Sequence, residues 1–285
     1  MNTENYKVTG NKKISLADFD PKDTGGFASS KDTDALFAKN IELITEYQNR
    51  FYAEGKTGLL IVFQAMDAAG KDSAIKNVMT GVNPQGVSVF SFKKPTPEEL
   101  AHDYLWRAVK VLPERGKIAI FNRSHYEDVL IGKVHKLYER YNLPDYCKTD
   151  DTIEKRYKQI RNFEDHLAEN GFVSLKFFLH LSKDQQRKRF LERIDVKDKN
   201  WKFSEADIEE RKYWDDYMEA YESAINATSS PENPWYIVPA DKKWFTKILV
   251  SEVLLETMQK IDPQYPVVSH EHEAELAKFK QMLTE

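Results

Sequence analysis

The pattern of apolar and polar positions alternates along most of the chain between two kinds of segment. Short continuous apolar runs, such as LLIVF near residue 60, are typical of strands that are buried on both faces. Longer stretches with apolar residues three and four positions apart are typical of helices packed against a sheet. The pattern predicts strands at 59–64, 87–92, 117–121, 172–181 and 234–240. It predicts helices at 32–54, 71–80, 95–113, 125–138, 150–169, 183–198, 204–226 and 241–261.

Strands and helices alternate in this order, which predicts an α/β fold with a mostly parallel sheet covered by helices on both faces. Residues 1–30 lack periodicity and contain PKDTGGFASS, so we expect an irregular N-terminal arm and then a single domain at 31–285. One segment of that domain, at about 183–215, is dense in charges of both signs. It is either a solvated pair of helices or a mobile lid whose cations close over an anionic substrate.

The composition excludes some classes of protein but identifies no further candidate site. The 285 residues carry a formal net charge of −4, so any surface that binds a polyanion must be local. No apolar run reaches the length of a membrane span, and the first residues form no apolar signal segment, which predicts a cytoplasmic protein with no membrane partner. Cys147 is the only cysteine, which excludes an internal disulfide and gives no signal for a zinc cluster.

The first candidate site follows the strand at 59–64, where the chain reads AMDAAGKDS from Ala65 to Ser73. Strand, turn and a helix opened by Gly-Lys form the frame of a phosphate-binding loop, although Ala65 departs from the G-x-x-x-x-G-K-[ST] pattern. Backbone N–H groups of the turn can hold phosphate oxygens, and Lys71 can reach them as a point charge. The alternative is an ordinary connection with a surface lysine. The candidate phosphate-binding residues of this loop are Ala68, Ala69, Gly70, Lys71 and Asp72.

Asp67 places a carboxylate at the centre of this loop, where bound phosphates would repel it. A divalent cation between them removes the conflict, and Mg²⁺ prefers carboxylate and phosphate oxygens. Asp72 stands where a serine or threonine hydroxyl would help to hold the metal. We therefore infer that Asp67 takes over this duty, directly or through water. Asp67 could also orient or deprotonate an attacking phosphate, and the structural alternative is that it caps nearby backbone N–H groups.

A second candidate loop follows the strand at 117–121, in the sequence NRSHYED. Ligands of parallel sheets bind beyond the carboxyl ends of the strands, so Arg123 is aimed at the same crevice as Lys71. Its guanidinium matches phosphate geometry with two donors. Asn122 occupies the place of a metal-binding aspartate, and Glu127 could supply the missing charge or simply begin a helix.

Three further residues have weaker signals. Lys93 and Lys94 follow the strand at 87–92 at its carboxyl end and could contact phosphate, although exposed lysines are common. His125 could carry a proton, but the alternative for a lone histidine is a packing or hydrogen-bonding role.

Motifs in a fixed order make the chain resemble the polyphosphate kinase 2 family from about residue 30 to 262. They are MDAAGKD, NPQGV, FNRSHYEDVL, FLERI, NWKFS, YWDDYMEAYE and PWYIVPADKKWF. The resemblance implies a P-loop kinase-like fold of three layers with a helical lid. It also implies reversible transfer of a terminal phosphoryl group from inorganic polyphosphate to nucleoside mono- or diphosphates, with Mg²⁺ or Mn²⁺. FNRSHYEDVL resembles the class III branch, whose members phosphorylate both kinds of nucleotide.

The resemblance implies that the catalytic residues are Asp67, Lys71, Arg123 and Arg193. In the lid, Arg189 lies four positions from Arg193 on the same helix face and joins the candidate phosphate-binding residues. The remaining expectations follow from the same comparison of motifs. The metal ligands would be Asp67, Asn122 and Glu127, and the lid's inner side would be packed by Phe190, Ile194 and Trp201.

The implied partners are polyphosphate and adenine or guanine nucleotides, in a homodimer or homotetramer. One rival is an ATP-dependent nucleotide or small-molecule kinase on the same fold. Another is a sensor that binds polyphosphate or nucleotide without catalysis, against which the intact Asp67, Lys71 and Arg193 argue. The net charge and the absence of a recognition motif argue against a nucleic-acid partner.

Overall fold

The computed structural model describes residues 1–284, so Glu285, the last residue of the predicted domain, lies outside the described range. The strands are β1 (Lys7–Val8), β2 (Gly58–Gln64), β3 (Val87–Ser91), β4 (Ile118–Asn122), β5 (Phe172–His180) and β6 (Trp235–Pro239). The α-helices are α1 (Asp34–Glu54), α2 (Lys71–Val78), α3 (Pro97–Leu100), α4 (Trp106–Val109), α5 (Ile131–Val134), α6 (Leu137–Arg140), α7 (Thr152–Glu169), α8 (Lys183–Asp195), α9 (Glu205–Lys212), α10 (Trp214–Thr228), α11 (Lys243–Ile261) and α12 (His270–Thr284). Short 3-10 helices lie at Thr3–Tyr6, Leu16–Asp18, Ser30–Asp32, Pro84–Gly86, His125–Val129, Asp145–Cys147 and Lys197–Lys202. Along residues 1–284, no helix combines the length and the apolar character that crossing a bilayer requires.

The strands form one sheet in the order β1-β6-β5-β2-β4-β3. β2 lies at the centre, parallel to β4 on one side and to β5 on the other, with Ile61 in register with Ile120 and Leu175. β3 and β6 extend the parallel sheet, and β1 pairs with β6 in the antiparallel direction. The prediction of a mostly parallel sheet is therefore confirmed, and the carboxyl ends of β2 to β6 lie at one edge.

Two apolar clusters cover the two faces of this sheet, because successive side chains of a strand point in opposite directions. On β2, Ile61 and Phe63 pack with residues of α1 and α11, whereas Leu60 and Val62 pack with residues of α7 and α10. These four side chains are at most 1 % exposed. The strand has no solvated face, which explains its continuous apolar run and gives the expected three layers.

The N-terminal arm contains a strand that the prediction of an irregular segment missed. In β1, Val8 pairs with Trp235 of β6, and Val8 and Leu16 are buried in the core. The backbone N–H of Leu16 also donates to the Glu222 carboxylate of α10 at 2.8 Å. A strand of two residues is too short to show the alternation by which strands are recognised, so the sequence pattern carried no signal for it.

Two predicted helices, at 95–113 and 125–138, are wrong as continuous elements. The first contains α3 and α4, separated by a turn in which the Asp103 carboxylate accepts a hydrogen bond from Leu105 N at 3.0 Å. Such bonds to the local backbone compete with helical ones. The second begins as a 3-10 helix and then forms α5, which ends before Lys136, where φ is 48° and left-handed.

The segment predicted as a lid, 183–215, contains α8, a 3-10 helix and α9. α10 begins after a break at Tyr213, so the predicted helix at 204–226 is divided into two. Phe190 is buried as expected, but Ile194 and Trp201 are 48 % and 79 % exposed, which corrects the prediction that both pack inside the lid. α8 ends at Asp195, and Trp201 lies in the 3-10 helix that follows it, not on the helix that carries Phe190.

Candidate active site

The loop between β2 and α2 lies at the carboxyl edge of the sheet. Gly70 has a φ of 105° and Ala68 a φ of 62°, a left-handed conformation that glycine adopts freely and alanine adopts at a cost. This turn lets α2 begin at Lys71, with the unpaired N–H groups of its first turn beside the loop. A helix start of this kind favours bound anions.

A cavity of about 460 Å³ opens at this edge, and we call it the cationic pocket. Residues at the carboxyl ends of β3 and β4, and residues a few positions beyond the ends of β2 and β6, all contribute to it, as expected for a ligand site of a parallel sheet. Among the described residues, its charged lining consists of Lys71, Lys93, Arg123, Arg189, Arg193, Lys199, Lys202, Lys243, Asp67, Asp72 and Glu192. A chain with a net charge of −4 therefore carries a concentrated positive site.

Asp67 and Arg123 form an ion pair inside this pocket. Arg123 Nη2 donates to Asp67 Oδ1 at 2.6 Å. Burial disfavours the charged carboxylate, but the positive charges of Lys71 and Arg123 outweigh this effect and lower the pKa of Asp67. Burial likewise opposes the charge of Arg123, while Glu127 and Asp67 raise its pKa further above its already high value. Both side chains are therefore charged at neutral pH.

Lys71 lies over the loop, and its ammonium group donates to the carbonyl of Ala65 at 2.9 Å. Burial and the neighbouring charge of Arg123 lower the pKa of Lys71, whereas Asp67 and Glu127 act in the opposite direction. A phosphate bound in the pocket would strengthen the charged form. Ala65 is itself buried, and the departure from glycine at this position coexists with the expected turn.

Asn122 and Glu127 lie close to Asp67, Lys71 and Arg123 but interact with different residues. Asn122 ends β4, and its amide nitrogen donates to Asp72 Oδ1 at 2.6 Å. Glu127 lies in the 3-10 helix after β4, and its charge acts on both Lys71 and Arg123. Asn122 and Glu127 thus both lie near the loop that carries Asp67, and the role of the three residues as metal ligands stays a prediction.

The oxygen atoms of Asp67, Asn122 and Glu127 suit Mg²⁺ that is held partly by the protein and partly by the phosphates of a substrate. Within residues 1–284, no three His, Cys, Asp or Glu side chains come together as a metal cage of their own. Mg²⁺ is commonly held by one or two carboxylates together with phosphates and water, so a full cage is not required. An ionised Asp67, with Glu127 and the amide of Asn122 near it, fits that requirement.

Arg189 lies against the loop between β2 and α2 and hydrogen-bonds to the backbone of this loop. Its guanidinium donates to the carbonyls of Ala68 and Ala69 at 2.9 and 2.7 Å, and to those of Ala240 and Asp241 at 2.7 and 3.1 Å. The side chain is buried. These four bonds differ from the predicted contact with phosphate, because they use both terminal nitrogens on the protein itself.

Arg193, one turn further along α8, faces the cationic pocket more openly. Its guanidinium donates to the carbonyl of Lys202 at 3.1 Å and lies 3.5 Å from the Asp207 carboxylate. Lys93 also lines the pocket, whereas Lys94 lies outside the lining within the described residues. The structure thus brings Lys93 and Arg193 to the loop and leaves Lys94 on the exposed surface.

His125 is fully buried, which agrees with a packing role. Its ring lies 4.9 Å from that of Tyr126 and 5.6 Å from that of Phe163. Burial, with the charges of Lys176 and Arg107, lowers the pKa of His125 to about 3. A neutral imidazole in the core is not placed to carry protons for a reaction in the pocket.

Lys199 and Lys243 line the cationic pocket and were not identified from the sequence. Lys243 follows the carboxyl end of β6, so the rule that selected Arg123 after β4 would also have selected it. Lys199 pairs with Glu192 across the bend after α8, and no sequence pattern indicated that bend.

A parallel sheet with a Gly-Lys loop that opens a helix, and a cationic pocket at its carboxyl edge, define the class of P-loop phosphotransferases. The model of the family described as Polyphosphate kinase 2 (PPK2) matches residues 27–266. The chain belongs to the polyphosphate kinase 2 family, and the resemblance stated from its motifs is confirmed.

Relatives of known name agree with this assignment. An ADP-polyphosphate phosphotransferase from Rhodopseudomonas palustris is 46 % identical over 285 residues, covering 99 % of this chain and 99 % of that protein. An AMP/ADP-polyphosphate phosphotransferase from Meiothermus ruber is 47 % identical over 263 residues, covering 92 % and 94 %. The crystal structure of polyphosphate kinase 2 from Arthrobacter aurescens TC1 has a TM-score of 0.89 and 39 % identity, covering 98 % of this chain and 96 % of that one. The P-loop kinase-like fold is therefore confirmed as well.

Proposed function

We propose that the protein transfers the terminal phosphoryl group of inorganic polyphosphate to nucleoside mono- and diphosphates, reversibly, so that AMP becomes ADP and ADP becomes ATP. The observation that carries this proposal is the ionised Asp67 held among Lys71 and Arg123 in a mainly cationic pocket. In a pocket that only bound phosphate, this carboxylate would weaken binding, because it repels phosphate. The names of the relatives from Rhodopseudomonas palustris and Meiothermus ruber support the choice of polyphosphate, ADP and AMP.

Phosphoryl transfer depends on alignment and neutralisation of charge more than on covalent catalysis. Lys71, Arg123 and Arg193 would neutralise the transferred group and the chain behind it. Backbone N–H groups from Ala68 to Asp72 would hold its oxygens at the start of α2. Lys93 would extend this binding surface on the side of β3.

Asp67, with Glu127 and Asn122, would hold Mg²⁺, and Mn²⁺ has the same preference for oxygen ligands. When bound, the metal would offset the negative charge of the phosphates. Asp67 would also keep Arg123 in position through their ion pair until substrate arrives.

The acceptor supplies its own nucleophile in this reaction. An oxygen of its terminal phosphate forms a new bond to the terminal phosphorus of polyphosphate, and the bond to the next phosphate breaks. The electron pair of that bond leaves with the shortened polyphosphate. The protein therefore needs no covalent intermediate, and its residues serve to align and neutralise.

Adenine and guanine nucleotides as acceptors, an assembly of two or four chains and a cytoplasmic location belong to the same proposal. We further propose that residues 1–30 form the arm of a single catalytic domain with a lid at about 183–215. Neither nucleic acid nor a membrane is needed as a partner for this chemistry.

The decisive experiment is an assay with polyphosphate as the sole phosphoryl donor. The protein would be incubated with polyphosphate, Mg²⁺ and either AMP or ADP, without any nucleoside triphosphate, and the products would be separated by ion-exchange chromatography. ADP and ATP should appear in amounts that match the phosphate lost from polyphosphate. An Asp67→Asn variant treated identically controls for contaminating kinases.

The outcome separates this function from its rivals. Transfer from ATP to an acceptor with no use of polyphosphate would identify an ATP-dependent kinase. Binding of polyphosphate and nucleotide with no transfer in either direction would identify a sensor.

A further inference from the structure

Two side chains of the proposed site, Arg123 and Glu127, lie close together on the stretch of chain that follows β4. We call residues 123–127 the arginine loop. Arg123 and Glu127 are partly exposed, whereas each residue between them is 0 % exposed. The position of the two functional side chains therefore depends on what holds the buried middle of this loop.

Tyr126 anchors the arginine loop to the core. Its backbone N–H donates to Ser124 Oγ at 3.1 Å, and its hydroxyl donates to Glu164 Oε1 of α7 at 2.8 Å. Its ring packs edge-on against that of Trp235 in β6, with 4.8 Å between the ring centroids. A tyrosine side chain is rigid and has few rotatable bonds, so an anchored hydroxyl also restrains the backbone that carries it.

The hydroxyl of Tyr126 belongs to a buried polar network with Glu164 and Lys176 of β5, which we call the buried triad. The ammonium group of Lys176 donates to the Tyr126 hydroxyl oxygen at 3.2 Å, to the carboxylate of Glu164 and to the carbonyl of Thr228 at 2.9 Å. All three of its N–H donors therefore have an acceptor. Glu164 and Lys176 are 1 % and 0 % exposed. The triad is thus a satisfied network that excludes water.

Stability alone does not account for the buried triad. Burial raises the pKa of Glu164 and lowers the pKa of Lys176, so each charge is disfavoured there, although the two groups attract each other. A buried ion pair often contributes no more stability than apolar residues of similar volume. A satisfied polar network does, however, fix one arrangement of its members, because other arrangements leave buried groups without partners.

The start of the arginine loop is fixed by β2. The backbone N–H of Arg123 donates to the carbonyl of Phe63 at 3.0 Å. Lys176 of the triad lies on β5 in register with Val62 of β2. β2 leads into the loop that carries Asp67. Both attachments therefore hold the arginine loop in place relative to Asp67, whose carboxylate pairs with Arg123.

We propose that the buried triad positions Arg123 and Glu127 for phosphoryl transfer, and that it acts through Tyr126. This inference rests on the proposed function for its choice of reaction. Within the described chain, no member of the triad lines the cationic pocket, so the triad acts on a substrate only through the arginine loop. Misplacement of an active-site group by about 1 Å can lower a rate about 100-fold, so small shifts of this loop are measurable.

The first test removes one hydroxyl group. Tyr126→Phe keeps the ring in the core but breaks its bonds to Glu164 and Lys176. With polyphosphate as donor and ADP as acceptor at saturating Mg²⁺, kcat should fall about 10- to 100-fold. The KM values for ADP and polyphosphate should stay within about twofold of wild type, because the pocket keeps all its charges.

Tyr6→Phe is the matched control for this substitution. Tyr6 is 5 % exposed, and its hydroxyl also donates to a carboxylate, that of Asp23, at 2.6 Å. Tyr6 lies outside the lining of the cationic pocket. Its variant should lose stability in urea as a buried hydroxyl is removed, while kcat stays at the wild-type value.

A triple variant, Tyr126→Phe with Glu164→Met and Lys176→Met, separates position from stability. Apolar side chains of similar length replace the whole triad, so no buried charge is left without its partner, and the urea midpoint should be at least that of Tyr126→Phe. The kcat should nevertheless stay about 10-fold or more below wild type, because the anchor of the loop is still missing. Recovery of kcat together with stability would overturn the proposal, as would wild-type kcat in a folded Tyr126→Phe variant.

Hydrogen exchange of backbone amides tests the anchor without any substrate. Peptides that cover residues 123–130 should exchange faster in Tyr126→Phe than in wild type, whereas peptides from β2 and β5 should be unchanged. Faster exchange confined to the arginine loop, in a protein that transfers nothing from polyphosphate, would support the anchor and reject the proposed function. Transfer from polyphosphate by the wild type, with unchanged exchange and kcat in Tyr126→Phe, would keep the function and reject the triad.

Discussion

The Arg123 guanidinium donates a hydrogen bond to the Asp67 carboxylate, with 2.6 Å between Nη2 and Oδ1, and so joins the loops that follow β4 and β2. The two side chains are 38 % and 32 % exposed, so the pair is open to solvent and to ligands. An ion pair of this exposure contributes little to stability. The pair instead keeps both side chains charged and in position. A bound cation can then replace Arg123 beside Asp67, and a bound anion can replace Asp67 beside Arg123.

The first prediction concerns Asp67→Asn. The amide keeps the size of the side chain but has no charge, so metal binding should weaken and polyphosphate-dependent turnover should fall by about 100-fold or more. Turnover would be measured over a range of Mg²⁺ concentrations, with circular dichroism to confirm folding. Asp184→Asn is the matched control, because Asp184 is an exposed carboxylate of α8 that pairs with Arg187 and Lys188. Wild-type turnover of Asp67→Asn at saturating Mg²⁺ would contradict the metal role.

The second prediction separates two arginines of α8. Arg189→Met removes a buried guanidinium from four backbone carbonyls, so the free energy of unfolding should fall by about 2–3 kcal/mol. Arg193→Met removes a more open side chain, and stability should change by less than about 1 kcal/mol. Turnover in Arg193→Met should nevertheless fall by about 100-fold or more, because a charge that offsets the transferred phosphate is lost.

Urea titration and steady-state kinetics on both variants check this contrast. Equal stability losses in the two variants would show that Arg193 also holds the fold. Normal turnover in Arg193→Met would remove it from the transfer reaction. Retained stability in Arg189→Met would mean that the four carbonyls find other partners.

The parallel sheet and the crevice at its edge could be predicted from sequence for a simple physical reason. Buried strands show as continuous apolar runs, and parallel strands bring their carboxyl ends together, so Lys71 and Arg123 could be assigned to one crevice without a structure. Arg189 and Arg193 could not be told apart in this way. Four residues apart, they share a helix face, and only the tertiary contacts show that Arg189 turns to the carbonyls of the loop.

The sequence pattern did not predict β1 or the turn between α3 and α4, because the interactions that form them produce no periodic spacing of apolar residues. β1 exists because two residues pair with β6, and the turn between α3 and α4 exists because Asp103 bonds its own backbone. The spacing of apolar residues predicted one long helix there. That spacing gives no information about a side chain that competes with the helix for backbone N–H groups. The cavity of about 560 Å³ that lies beside that turn could not be predicted from the sequence for the same reason.

The third prediction is a loss of stability in mild acid caused by His125. Its pKa is about 3 in the folded protein and about 6.5 in an unfolded chain, so protons bind the unfolded state more tightly. The stability that this residue contributes is complete above pH about 6.5 and is lost as the pH falls toward 3. The loss from His125 alone should reach about 2 kcal/mol near pH 5.

His125→Leu removes the titrating ring and its two buried nitrogens, which have no partner among the described residues. The free energy of unfolding of this variant, measured in urea from about pH 7.5 to pH 5, should fall less steeply than that of wild type. His166→Leu, at an exposed position of α7, should keep the wild-type slope. Parallel slopes for wild type and His125→Leu would show that other groups cause the acid sensitivity.

The fourth prediction contrasts the two ends of the chain. Every described side chain of α12 is exposed, so removal of residues 267–285 should change the free energy of unfolding by less than about 0.5 kcal/mol. Removal of residues 1–12 should destabilise the protein by several times that amount, because it exposes β6 and deletes the buried Tyr6 and Val8, each worth about 1.5–3 kcal/mol. Thermal and urea unfolding of both truncated proteins, with their mass in solution measured by light scattering, checks the contrast. A large loss of stability after removal of α12, together with a lower mass, would show that the exposed helix is covered by another copy of the chain.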